Sequence, residues 1–110
     1  MVEVDPSIKQ VAIMLQGEPM TKQKLCVECA TAFLNSYRKA KDTHKGWAEK
    51  WINGGYMKIV LKCKDPETYA EIFDKTVTKH LPFATADRIL VIGPAPSEVI
   101  DEITGDLKLL

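Results

Sequence analysis

The segment IKQVAIML, residues 8–15, decides the fold predicted for this chain. Its apolar side chains stand on both faces, which is typical of a strand buried between two layers. Gly17 and Pro19 follow it and break the regular structure. This segment is therefore the best candidate for the middle strand of a sheet that helices cover on both sides.

The elements predicted downstream alternate between helices and strands. The next strand, residues 56–64, alternates apolar residues with lysines, which favours the edge of the sheet. Strands linked through helices are usually parallel. We therefore predict an α/β fold, a three-layer α/β/α sandwich with a small, mainly parallel sheet of about three strands, as a single domain over residues 1–110. The other predicted elements are helices over 21–41, 45–53 and 98–104, a helix opened by DPE at 65–67, a strand over 88–92, and a GPAP turn at 93–96.

Composition excludes several classes of protein. Of the 110 residues, 45% are hydrophobic and 27% are charged, which is ordinary globular composition. The opening stretch MVEVDPSIKQ does not resemble a signal peptide, and the apolar run from Val11 to Leu15 is far too short to span a bilayer. With three cysteines and no disulfide framework, we expect a cytoplasmic protein without a membrane partner.

Charge is unevenly distributed along the chain. Residues 1–64 hold eleven Lys and Arg against six Asp and Glu, whereas residues 65–110 hold four against nine. Two interpretations are open. The charges belong to ordinary solvated helix faces, or one side of the molecule is basic enough to bind phosphates.

Three segments carry a resemblance to a known family. The tail GPAPSEVIDEITGDLKLL (93–110), the helix TKQKLCVECATAFLNSY (21–37) and the segment WINGGYMKIVLKC (51–63) resemble the archaeal and eukaryotic (type 2) peptidyl-tRNA hydrolases. The resemblance extends from about Ile8 to Leu110, and the tail is its most specific part. It implies cleavage of the ester between a peptide and the terminal ribose of tRNA, without a metal or other cofactor.

The resemblance also implies site residues. Lys24 matches the family lysine at the start of the first helix, and Glu28 stands where the family has a glutamine. A Lys–Glu pair four residues apart is also typical of a surface ion pair. Peptidyl-tRNA is the implied substrate. The lysines expected to contact its phosphates are Lys22, Lys24, Lys39 and Lys41.

The largest departure from the family lies between residues 83 and 92, FATADRILVI. The family places a separate strand here, with an aspartate and a threonine, and this strand is expected to be absent. Thr85 and Asp87 are the local residues of the same types, and they also suit a simple turn. Asp87 or Glu28 would have to act as general base. The alternative is a catalytically inactive module that binds RNA or protein.

Loss of that strand would expose an apolar edge at residues 88–92, so we expect either a homodimer or an ordered cover there. The C-x-x-C motif at Cys26 and Cys29 suggests a redox or metal role, but a structural role is favoured because neither thiol stands at the helix N-terminus. His44 and His80 match no ligand spacing and are interpreted as ordinary residues.

Overall fold

The computed structural model describes residues 4–110 and contains, within them, four helices and a five-stranded sheet. None of these helices is long and apolar enough to cross a membrane. The elements in chain order are β1 (Ile8–Leu15), α1 (Lys22–Thr43), α2 (Lys45–Asn53), β2 (Lys58–Cys63), α3 (Pro66–Thr78), β3 (Phe83–Ala86), β4 (Ile89–Pro96), α4 (Ser97–Thr104) and β5 (Lys108–Leu109).

The helix ends follow from local capping. The side chain of Thr21 accepts a hydrogen bond from the backbone N–H of Lys24 at 3.1 Å and so begins α1. Asp65 does the same for Thr68 at 2.7 Å, ahead of the proline that opens α3. Gly55, with φ 94°, takes the left-handed conformation that ends α2. All four predicted helices are confirmed.

The sheet order is β3-β4-β1-β2-β5, so the prediction that β1 is the middle strand is confirmed. The α/β class is confirmed too. The expectation of a mainly parallel sheet of about three strands is wrong, because within residues 4–110 one pairing, β1 with β2, is parallel and the other three are antiparallel. The physical reason is β3: it reverses the chain direction after α3, so β4 returns antiparallel to β1.

β3 also corrects the expectation that the connector before the last strand holds only a turn. All four of its residues pair with β4, from Phe83 opposite Ile92 to Ala86 opposite Ile89. A two-residue turn, Asp87 and Arg88, joins the two strands. The expectation that a strand is absent here is therefore wrong, and β3 covers the edge at residues 89–92 that its loss would have exposed.

Two further strand assignments differ from the sequence interpretation. β2 is not the outermost strand, because β5 pairs with it at Leu61 and Lys62. The segment GPAP is not a turn, because residues 93–96 continue β4 and are mostly buried. A register irregularity between Lys9 and Val11 in β1 accommodates this continuation.

Apolar side chains pack on both faces of the sheet, which confirms the three-layer arrangement. Val11, Ile13 and Ile92 face α3 and α4, where they meet Ile72 and Ile100. The residues between them in the strands point the other way and pack under α1. These residues, Ala12, Ile89 and Val91, form a second cluster with Ala32.

Candidate functional site

Three segments meet at the end of the sheet where the parallel strands β1 and β2 finish. The backbone N–H of Leu15 donates to the carbonyl of Arg88 at 2.9 Å, and that of Gln16 donates to the carbonyl of Cys63 at 2.8 Å. The loop after β1, the β3–β4 turn and the end of β2 are thus joined by backbone hydrogen bonds. The carboxyl ends of parallel strands are the usual place for a ligand in such folds.

Lys24 and Asp87, 63 positions apart in the chain, form an ion pair at this end of the sheet. Lys24 Nζ lies 3.1 Å from Asp87 Oδ2, and the two side chains are 55% and 40% exposed. The cap on α1 positions Lys24. Asp87 lies in the turn with φ 51°, a left-handed conformation that aspartate tolerates better than most residues. The structure therefore brings together two of the three predicted catalytic residues.

Arg88 holds the loop that leads into α1, a role that no sequence pattern indicated. Its Nη1 donates to the carbonyl of Glu18 and its Nη2 to the carbonyl of Gln16, each at 2.9 Å. Gly17, with φ 146°, lies against this guanidinium, since a Cβ there would come within 2.2 Å of Nη2. Both residues of the turn thus bear on the position of Lys24, Asp87 through the ion pair and Arg88 through the loop.

Gln16 contributes an unused donor at the same end of β1. Its side-chain Nε2 is buried, and among residues 4–110 it has no hydrogen-bond partner. A buried amide nitrogen without a partner is uncommon in folded proteins. To donate to a carbonyl oxygen brought into the site, this nitrogen must first turn outward, because it has almost no accessible surface. The only sequence signal for it was its place directly after a buried strand.

Glu28, the third predicted catalytic residue, is half-buried one helical turn beyond Lys24. Within the described part of the chain, the ion pair of Lys24 is to Asp87, and Glu28 has no cation within 4.0 Å. The Lys24–Glu28 surface pair is therefore not formed. Thr85, in β3, is exposed.

The four lysines predicted to bind tRNA are all on α1 but do not form one patch. Lys22 and Lys24 are in its first turn, and Lys39 is about 25 Å further along the helix axis. Lys39 Nζ lies 4.8 Å from the ring centroid of Phe83, on the β3 side of the helix. Lys41 points about 200° away from Lys39 around the helix axis.

A second group of lysines lies near the end of β2, and in the sequence two of them, Lys62 and Lys64, indicated only an edge strand. Lys62, Lys64 and Lys108 line an open cavity of about 500 Å³, together with Asp65 and Thr68 at the start of α3. This cavity adjoins the Gln16–Cys63 hydrogen bond, so it borders the same end of the sheet.

The C-x-x-C residues fit the structural interpretation. Cys29 is half-buried on the side of α1 that faces the sheet, and loss of solvation raises the pKa of its thiol, which disfavours the reactive thiolate. Cys26 is on the exposed side of the helix. His44 stacks on Trp47 with ring centroids 4.2 Å apart, an ordinary packing role.

Comparison with known proteins gives a consistent result. The family model described as "Peptidyl-tRNA hydrolase PTH2" matches residues 8–110. The chain is 39% identical to a peptidyl-tRNA hydrolase of Staphylothermus marinus over 93% of this chain and 94% of that protein. It is 34% identical to one from Methanopyrus kandleri, over 93% and 97% of the two chains. Peptidyl-tRNA hydrolase 2 of Saccharomyces cerevisiae is 30% identical over 97% of this chain, which spans 60% of the length of that relative.

Proposed function

The chain belongs to the type 2 peptidyl-tRNA hydrolase family, hydrolases that act on the ester bond of peptidyl-tRNA, and from that premise we propose that it cleaves this ester itself. The observation that carries the proposal is the Lys24–Asp87 pair, 3.1 Å apart where β1 and β2 end. A cation and a carboxylate side by side supply the two functions that ester hydrolysis needs, an oxyanion donor and a proton acceptor.

In the proposed reaction, water attacks the ester carbonyl carbon while Asp87 accepts a proton from that water. Lys24 donates a hydrogen bond to the carbonyl oxygen as negative charge develops on it. The C–O bond to the ribose then breaks, and the proton held by Asp87 passes to the ribose oxygen. The products are tRNA with a free ribose hydroxyl and a peptide carboxylic acid, which releases its proton to solvent and becomes a carboxylate.

The ion pair must open for both groups to reach the substrate, and its exposure makes this opening easy. Ion pairs exposed to this extent contribute about 0–1 kcal/mol, so substrate can displace Asp87 from Lys24 at little cost. Gln16 Nε2 is proposed as a second donor to the oxyanion, since it is buried and unpaired in the described chain. Glu28, one turn from Lys24, is the alternative general base.

Lys22, Lys24, Lys39 and Lys41 are proposed to contact tRNA phosphates, with Lys22 and Lys24 nearest the ester. Lys62, Lys64 and Lys108 are further cations on the β2 side of the same end of the sheet, but Asp65, Glu71 and Asp106 line the same cavity and balance their charge. Such contacts make binding fall steeply as salt rises. The proposed place of action is the cytoplasm.

The test is single-turnover hydrolysis of N-acetyl-aminoacyl-tRNA by the wild type, Lys24→Met and Asp87→Asn. We expect Lys24→Met to slow cleavage by about 10²–10³-fold and Asp87→Asn by about 10²–10⁴-fold. Asn keeps the shape of Asp and tolerates the left-handed turn, so the turn should stay intact.

Two further variants separate the roles. Glu28→Gln restores the family residue, and a rate equal to or above wild type removes Glu28 as the base. Lys45→Met is the matched control, because Lys45 pairs with Glu49 on α2, outside the site. Wild-type rates in both Lys24→Met and Asp87→Asn would refute the proposed chemistry.

A catalytically inactive module that binds RNA or protein is the second candidate, and the glutamate at position 28, where the family has glutamine, favours it. Binding of tRNA that weakens steeply with salt, with no ester cleavage above background, would identify an RNA-binding module. Retention of a protein partner without affinity for tRNA would identify the other form.

A homodimer is also proposed, through β3 as the terminal strand of the sheet. Its sequence, FATA, carries none of the charges or prolines that usually protect an edge strand. Two copies of β3 would pair antiparallel and join their sheets. Sedimentation velocity of wild type and Thr85→Pro tests this, and a wild-type monomer at high concentration would rule the dimer out.

A further inference from the structure

A pocket of about 430 Å³ lies between α1, α2 and the start of β2, outside the Lys24–Asp87 site. Its size falls within the range of small-molecule sites. Phe33, Tyr37, Trp51 and Tyr56 provide aromatic walls, and Leu34, which is 56% exposed, stands at its rim. Aromatic walls of this kind stack well on flat rings.

Gln10 lines this pocket and has an unsatisfied acceptor. The residue is fully buried, and its Nε2 donates to the carbonyl of Phe33 at 2.9 Å and to that of Gly93 at 3.3 Å. These two acceptors fix which end of the amide is nitrogen. Oε1 is then left without a partner among residues 4–110, which is costly for a buried acceptor. Because Oε1 has almost no accessible surface, the amide must shift toward the pocket, where a ligand that donates one hydrogen bond would satisfy it.

Lys58 adds a cation to the same pocket. Its Nζ lies 5.3 Å from the ring centroid of Trp51 and 5.6 Å from that of Tyr56, and the residue is exposed. Nζ also donates to the carbonyl of Tyr56 at 3.1 Å, which holds it beside the aromatic walls. An anionic group on a bound ligand would find its counter-charge here.

We propose that this pocket binds a small aromatic acid, a ring that bears one N–H or O–H donor and a carboxylate on a short arm. The ring stacks among the aromatic walls, its donor satisfies Gln10 Oε1, and its carboxylate pairs with Lys58. The polar groups of the walls are few, and the indole nitrogen of Trp51 is already committed to the carbonyl of Met57 at 2.9 Å. Indole and phenol rings fit this pattern better than nucleobases, whose several edge atoms would be buried without partners.

The experiment is a titration of ¹⁵N-labelled protein with N-acetyl-L-tryptophan. A ligand of this size and ordinary efficiency binds with a Kd of about 0.1 mM. We expect the indole N–H resonance of Trp51 to shift and that of Trp47 to stay still, since Trp47 is outside the pocket. This internal comparison distinguishes the pocket from non-specific binding.

Two ligand analogues test the two polar contacts without altering the protein. The 1-methylindole analogue cannot donate to Gln10 and should bind about tenfold more weakly. The carboxamide analogue lacks the charge and should bind about threefold more weakly. Lys58→Met should weaken the acid by the same factor and leave the amide unaffected, whereas the control Lys64→Met should change neither.

Three results would overturn the proposal. The first is no shift of Trp51 at a ligand concentration about tenfold above the expected Kd. The second is equal binding of the 1-methylindole analogue, which would show that Gln10 Oε1 is not used. The third is tighter binding of adenosine monophosphate with the same shifted resonances, which would assign the pocket to nucleotides.

Discussion

The β3–β4 hairpin has two ends that are built in opposite ways. At its base, Gly93 is buried, its N–H donates to the carbonyl of Pro82 at 2.9 Å, and its carbonyl accepts from Ser36 Oγ at 2.5 Å. At its turn, Asp87 is partly exposed and meets Lys24 in an exposed ion pair. The buried end is held by hydrogen bonds and close backbone contacts, whereas the exposed end is held by an ion pair that solvent reaches. We therefore expect substitutions at the base to affect stability and substitutions at the turn to affect the proposed activity.

Gly93→Ala is the substitution expected to destabilise the base of the β3–β4 hairpin most. A Cβ on Gly93 would lie 2.5 Å from the carbonyl oxygen of Lys9 and 3.2 Å from Gln10 Cα, and the residue has φ 107°. Backbone atoms cannot move aside as a flexible side chain can, and the conformation itself is unfavourable for alanine. We expect a loss of about 3–5 kcal/mol in the free energy of unfolding, measured by urea denaturation.

Gly46→Ala is the control for this substitution. Gly46 is within α2, and a Cβ there would meet nothing within 4 Å. Alanine should therefore stabilise the protein by about 0.5–1 kcal/mol through helix propensity. A Gly93→Ala protein as stable as wild type would mean that the base of the hairpin is not the rigid end.

Ser36→Ala tests the polar contact at the same end with a smaller expected effect. Ser36 is fully buried in α1, and its hydroxyl is a donor to the Gly93 carbonyl. Removal of a buried donor leaves that carbonyl with only the longer bond from Gln10, so we expect a loss of about 1–2 kcal/mol. Thr43→Ala, whose exposed hydroxyl donates to the carbonyl of Lys39, should change stability by less than about 0.5 kcal/mol.

These two ends also differ in how much of them could be predicted from the sequence. The resemblance pointed to Lys24, and chemistry alone pointed to Asp87, but neither showed that they would touch. Their contact depends on a strand of four residues, too short for an apolar period to be visible. GPAP was predicted as a turn because Gly and Pro usually break strands. Residues 93–96 can continue β4 because β1, the strand beside them, has an irregular register between Lys9 and Val11. That strand is distant in the sequence, so the local pattern could not indicate it.

Other parts of the fold divide in the same way. The helices and their caps at Thr21 and Asp65 were predictable, because capping is encoded within a few residues. β5 was not predicted, because two residues carry no pattern. The tRNA-binding lysines were grouped by charge alone, although helical geometry places Lys39 and Lys41 on different sides of α1. The two hydrogen bonds that Arg88 donates could not be predicted from the sequence, because their acceptors are backbone carbonyls about 70 positions away.

At the turn of the hairpin, Arg88→Met should affect activity more than stability. Arg88 is partly exposed, and its two hydrogen bonds hold the loop between β1 and α1. We expect a loss of about 1 kcal/mol in the free energy of unfolding. We also expect a drop of about tenfold in kcat, because a displaced loop misplaces Lys24.

Arg88→Lys is the companion variant for this effect. Lysine keeps the charge but cannot donate to two carbonyls in the fixed geometry of a guanidinium, so it should rescue little. An unchanged kcat in both variants, with the same loss of stability, would show that Arg88 acts on the fold alone.

The smallest expected effect is the difference between lysine substitutions on the two sides of α1. Lys39 lies over Phe83 at the start of β3, on the hairpin side, whereas Lys41 points away from it. If tRNA approaches along the hairpin, Lys39→Met should raise KM for N-acetyl-aminoacyl-tRNA about threefold, since one phosphate contact is lost, and should reduce the slope of log KM against log salt by about one. Lys41→Met carries the same change of charge on the same helix, and because Lys41 points away from the hairpin, it should change KM and the slope less than Lys39→Met does. Equal effects of the two variants would mean that net charge attracts the tRNA without a preferred side of α1. The hairpin would then not mark the surface along which tRNA binds.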